Sequence, residues 1–137
     1  MLQWLTGNAS KAEELLDPSG IGVLSASCCS AGAFTLDEAL IKNVKQALAD
    51  EGQSRPIHFE TVTHAQAAIP ALMGKLDEAR LATVHQLMGV FATKGLAGFP
   101  VLLVGGKLAF SGVVPSVDDI RAKLRQQPAA AAPGAPA

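Results

Sequence analysis

The stretch GFPVLLVGGKLAFSG, residues 98–112, decides the architecture of this chain. It contains two apolar runs separated by Gly105-Gly106. Adjacent glycines between such runs adopt the positive φ angles of a two-residue turn without steric cost, so the spacing predicts a β-hairpin. A strand follows the glycines where a phosphate loop would have a helix, so the pair has no phosphate-binding context. Downstream, Pro115 leads into a last helix capped by Ser116, with Val117, Ile120 and Leu124 facing inward.

Working upstream, residues 65–94 carry a helical period, in two segments broken near Gly74, with Val84, Leu87, Met88 and Phe91 on one stripe. Residues 57–62, IHFETV, read as a strand with Ile57, Phe59 and Thr61 on one face. Before them, TLDE at Thr35–Glu38 fits a capping box, in which Thr35 accepts from the amide of Glu38. The helix it opens runs to about Glu51, with Gly52 as the stop and Leu36, Leu40, Ile41, Val44 and Leu48 on one face. Ile21–Leu24 is a short apolar run and reads as a buried strand. Ser10–Leu16 reads as a short helix with a Ser cap, stopped by DPSG.

The order is helix, strand, helix, strand, helices, hairpin, helix. A strand-helix-strand unit implies a parallel pair with a right-handed crossover, to which the hairpin adds an antiparallel pair. The expected fold is α/β: a four-stranded mixed sheet flanked by helices on both faces, on the thioredoxin-like plan. The expected organisation is an N-terminal helical extension over residues 1–20, one domain over 21–127 and a disordered Ala/Pro tail over 128–137.

Composition narrows the function classes. The chain has 137 residues, 49% hydrophobic and 17% charged, which suits one globular domain. A net charge of −1 offers phosphate no basic surface, so nucleic acid and anionic membranes are not expected partners. No apolar run approaches the roughly 18 residues of a membrane span, and the first residues lack a signal-peptide pattern, so the expected compartment is the cytoplasm.

The chemistry centres on VLSASCCSAGAF, residues 23–34. Its cysteines, Cys28 and Cys29, are the only two in the chain. A lone cysteine is ordinarily a small buried hydrophobe. A vicinal pair in a loop of small residues, at the carboxyl end of a strand, sits where open α/β sheets gather their sites. The residues three beyond the cysteines are Ala31 and Gly32, so a Cys-x-x-Cys pair is absent. Adjacent cysteines close a disulfide only through a strained ring, and strained disulfides are easily reduced. If the helix starts at Thr35, about six residues beyond Cys29, its dipole favours a thiolate only weakly; if Ser30 or Ala31 already lies in the helix, the effect is substantial.

Residues 98–112 resemble the thioredoxin-superfamily segment that carries a cis-proline before the final hairpin. The resemblance implies that Pro100 is that residue, that it lies opposite the reactive cysteine, and that the backbone at Phe99 and Pro100 binds a substrate peptide. A second resemblance is narrower. CCSAG, then TLDEAL, then GFPVLLVGGKLAFSGVVPSVDDI resemble the ArsD-type arsenic metallochaperones, over about residues 21–124. That family has a third cysteine soon after the pair and binds trivalent arsenic or antimony. Here Ala33-Phe34 occupies the corresponding region.

Three functions are therefore carried forward. The first is thiol–disulfide exchange or redox sensing with Cys28 and Cys29 as catalytic thiols, no required cofactor, and a thiol-containing protein or small thiol as partner. The second is ArsD-like carriage of arsenite or another soft metal, with Cys28 and Cys29 as ligands. The third is a degenerate fold used for protein contacts. His58, His64 and His85 lack metal-site spacing, with His64 the best placed of them near the site. Trp4 is the only tryptophan and reads as packing of the N-terminal helix or as a contact with a second copy in a homodimer.

Overall fold

The computed structural model describes residues 12–26 and 33–128. Cys28, Cys29, Trp4, the Ser10 cap and the Ala/Pro tail beyond residue 128 lie outside the described residues.

The chain forms β1 (Ile21–Ser25), α1 (Ala33–Asp50), β2 (Ile57–Thr61), α2 (Val62–Leu72), α3 (Glu78–Lys94), a 3-10 turn (Gly95–Gly98), β3 (Val101–Val104), β4 (Lys107–Ser111) and α4 (Val117–Gln126). The four strands make one mixed sheet in the order β2-β1-β3-β4. β1 pairs parallel with β2, while β3 pairs antiparallel with both β1 and β4. This is the α/β architecture expected from the element order, and it is compatible with a thioredoxin-like fold.

The central strands explain themselves. β1 (IGVLS) and β3 (VLLV) are buried at every position, because both faces of the sheet are covered. On one face Ile21, Val23, Leu102 and Val104 pack against Leu40, Val44 and Ala47 of α1 and Ile120 and Leu124 of α4. On the other, Leu24, Val101 and Leu103 pack with Val62 of α2, Val84 of α3 and Leu15 and Leu16. Strand alternation sends successive residues to opposite cores.

The turn between β3 and β4 has Gly105 at φ +62° and Gly106 at φ +77°, the signs the glycine pair called for. Ser116 caps α4 as expected, accepting from the Asp119 amide at 3.1 Å. The helical region divides where expected: α2 ends at Leu72, and α3 begins after Asp77, whose side chain accepts from the Arg80 amide at 2.9 Å.

Three local expectations change. The helix expected from Thr35 includes Ala33, so Thr35 lies inside α1 and is exposed; it does not cap the helix. The inward stripe contains Asp37, Leu40, Val44, Ala47 and Leu48, whereas Leu36 is 44% exposed. Threonine and glutamate are both at home on a solvated helix face, so the TLDE pattern does not identify a terminus by itself. Strand β2 stops at Thr61, one residue early, because the Thr61 side chain caps α2 by accepting from the His64 amide. Phe59 is 46% exposed because β2 is an edge strand.

Candidate functional site

The site is assembled where β1 ends. Leu24 pairs with Val101, so the carboxyl end of β1 lies beside the amino end of β3. Ala26 follows β1 and is buried; the chain then passes through residues 27–32 to α1. Cys28 and Cys29 lie in that connection, outside the described residues. Since α1 includes Ala33, the helix stands four residues from Cys29, closer than the six expected from Thr35. A helix N-terminus favours a nearby thiolate, and the effect falls off within about one turn.

On the β3 side, the Phe99–Pro100 peptide bond is cis. Pro100 is fully buried and Phe99 is 6% exposed. The Phe99 amide donates to the Leu96 carbonyl at 3.2 Å, and the Pro100 carbonyl accepts from the Gly112 amide at 3.0 Å. Ser111 adds a bond from its hydroxyl to the Gly98 carbonyl at 2.8 Å. The turn before β3 is thus tied to the end of β4.

Two residues that the motif reading passed over lie at this end of the sheet. Ser25, the last residue of β1, is fully buried and its hydroxyl donates to Asp37 Oδ2. Asp37 is 3% exposed, and among the described residues its Oδ1 has no hydrogen-bond partner. The bond ties the end of β1 to the early part of α1, and so clamps both ends of the connection that carries the cysteines. A buried carboxyl oxygen without a partner is uncommon and costly, and such groups concentrate at functional sites. The sequence did contain the signal: positions 37, 40, 44, 47 and 48 follow the helical period, with an acid as their first member.

The histidines do not join the site's described residues. His58 Nδ1 lies 3.5 Å from Glu14 and its Nε2 3.4 Å from Asp17. His64 is largely exposed and pairs with Glu60 at 3.0 Å. His85 is exposed on α3. Among the described residues, no group of three or more His, Cys, Asp and Glu side chains could hold a metal ion.

Phe99 has a second neighbour. Between α2, α3 and the sheet is an apolar cavity of about 240 Å3 with Leu24, Val62, Val84 and Phe99 in its wall. It reaches the same end of the sheet as the Phe99–Pro100 bond. Phe91 of α3 meets Phe99 there, with ring centroids 6.2 Å apart.

No protein-family model matches this chain, and no curated protein or solved structure matches it significantly. Among the described residues, no helix is long and apolar enough to cross a membrane.

Proposed function

We propose that the chain is a thioredoxin-like thiol protein that acts in thiol–disulfide exchange or redox sensing through Cys28 and Cys29. The observation that carries this reading is the pairing of Leu24 with Val101, which brings Phe99 and Pro100 to the end of β1 from which the cysteine segment departs. In exchange, the thiolate of one cysteine attacks a partner disulfide. A mixed disulfide forms and the partner's second sulfur leaves as a thiolate. A small thiol or the neighbouring cysteine then attacks the protein's sulfur in that bond and releases the partner's first sulfur, the one held in the mixed disulfide, as a thiolate. If the neighbour attacks, the vicinal pair ends as a disulfide and the partner's disulfide is reduced to two thiols.

The adjacency of the thiols supports a second reading, with arsenite or another soft metal ion as cargo. Two thiolates serve a linear site, and a trigonal arsenic site takes its third sulfur from a small thiol or another chain. The protein would work in the cytoplasm, where such thiols stay reduced.

Intact-mass spectrometry of the native protein separates these readings. Exchange predicts that a disulfide reagent removes the mass of two hydrogen atoms, and that reductant restores it. It also predicts that Cys→Ser at one position abolishes transfer to a small disulfide while the other variant retains it. Cargo binding predicts an arsenic adduct that both Cys28→Ser and Cys29→Ser abolish, without transfer. A protein unchanged by either reagent would sink both readings and leave a thioredoxin-like interaction module.

A further inference from the structure

The cavity between α2, α3 and the sheet has a volume of about 240 Å3. Close-packed interiors leave few voids larger than a water molecule, so packing alone does not account for one of this size. Its deep wall is buried: Leu24 of β1, Val62 and Leu72 of α2, Val84 of α3 and Phe99 are each at most 6% exposed. It opens between the two helices, where Gln66 of α2 and Met88 of α3 line it and also reach solvent.

The chemistry of the wall restricts what it can take. None of the described lining residues is charged, and Gln66 is the only polar one among them. A charged group drawn into such a wall loses its hydration and finds no counter-charge in exchange. An uncharged hydrocarbon avoids that cost, and each methylene it buries is favourable. The volume restricts size as well. An apolar cavity of about 150 Å3 takes a benzene ring. In proportion, this one suits about ten carbon atoms. Met88, at the opening, is unbranched and can adapt its rotamers to a guest's shape.

We propose that this cavity is a binding site for an uncharged, predominantly hydrocarbon small molecule of about ten carbon atoms, which enters between Gln66 and Met88 and packs against Val84 and Phe99. Phe99 adjoins Pro100, so the bound molecule touches the residue next to the cis bond. The inference does not rest on the thiol chemistry, since every residue it uses belongs to the described wall.

Butylbenzene matches this size and is the probe, titrated into the full-length protein with isotope-labelled methyl groups. It should shift the methyl signals of Leu24, Val62, Leu72 and Val84 saturably, with nuclear Overhauser contacts from its ring to the same methyls. Leu40 and Val44, in the core on the other face of the sheet, should show no such contacts. Benzene leaves part of the volume unfilled and should bind about tenfold more weakly or worse. Ala65→Phe, at a half-buried lining position, fills the space and should weaken butylbenzene binding several-fold. Val113→Glu, exposed and outside the described wall, should leave binding unchanged. Absence of saturable shifts would overturn the proposal. So would contacts confined to methyls elsewhere, benzene bound as tightly as butylbenzene, or binding that Ala65→Phe leaves unchanged. The contacts in the unsubstituted protein locate the probe even if Ala65→Phe fails to fold.

Discussion

Asp37 is buried beneath the start of α1, and its only hydrogen bond among the described residues comes from Ser25. Removing that hydroxyl leaves the carboxyl desolvated without a described partner. We expect Ser25→Ala to cost about 1–3 kcal/mol, far more than the loss of one exposed hydroxyl. The measurement is a urea titration, in which the midpoint should fall at constant slope. An unchanged midpoint would show that the Ser25 bond does not hold Asp37. At this scale the sequence was half legible. The cysteines and Pro100 stand out by residue type alone. Asp37 does not, because an acid near a helix start is ordinarily exposed, and only the phase of α1 turns this one inward.

At the scale of elements, two glycines should respond in opposite directions to alanine. Gly22 lies in the middle of β1, and a Cβ there would stand 2.6 Å from the Leu15 carbonyl oxygen. Backbone cannot yield as a side-chain tip can, so Gly22→Ala should destabilise the fold by about 1–3 kcal/mol. Gly89 is inside α3 with nothing within 4 Å of a built Cβ. Gly89→Ala should stabilise by about 0.5–1 kcal/mol, through helix propensity. Thermal melts of both variants test the pair, and a stabilised Gly22→Ala would show that residues 12–16 do not press on the sheet. The hairpin at Gly105-Gly106 and the Ser116 cap were legible beforehand because each is settled within about four residues. The start of α1 was not, since the burial of Asp37 and Leu40 sets its phase.

Across the whole molecule, the end of α1 is fastened to α4. Glu51 accepts from Arg125 Nη2 at 2.8 Å and from Arg121 Nε at 2.9 Å. The bonds from Arg125, then from Arg121, hold the Glu51 carboxyl below its ordinary range. A carboxyl lowered on folding stabilises the protein above its unfolded pKa, and that contribution disappears as pH falls through the lowered folded value. Glu51→Gln should therefore lower stability at about pH 7, and the difference should narrow as pH falls below the ordinary glutamate value of about 4.3, closing only through the lowered folded value. Urea midpoints of both proteins across that acid range test this, and a gap that does not narrow at all on acidification would show that the carboxylate charge is not its source.

Two chain-distant approaches complete the molecule. The Leu15 and Leu16 carbonyls lie against Gly22 and Gly106, on β1 and in the hairpin turn, so residues 12–16 pack onto the sheet through glycine gaps. Arg55 is buried and donates to the Leu124 and Gln127 carbonyls at the end of α4. The sequence by itself determined the strands, the glycine turn, the cap of α4 and the mixed sheet, because periodicity and turn chemistry act over a few neighbouring residues. Only the tertiary structure decided that Asp37 faces inward, that Ser25 reaches it, and that Phe99 and Pro100 stand at the end of β1. Those outcomes depend on strand register and helix phase, which the core sets by bringing together residues as distant in the chain as Ile21 and Leu124.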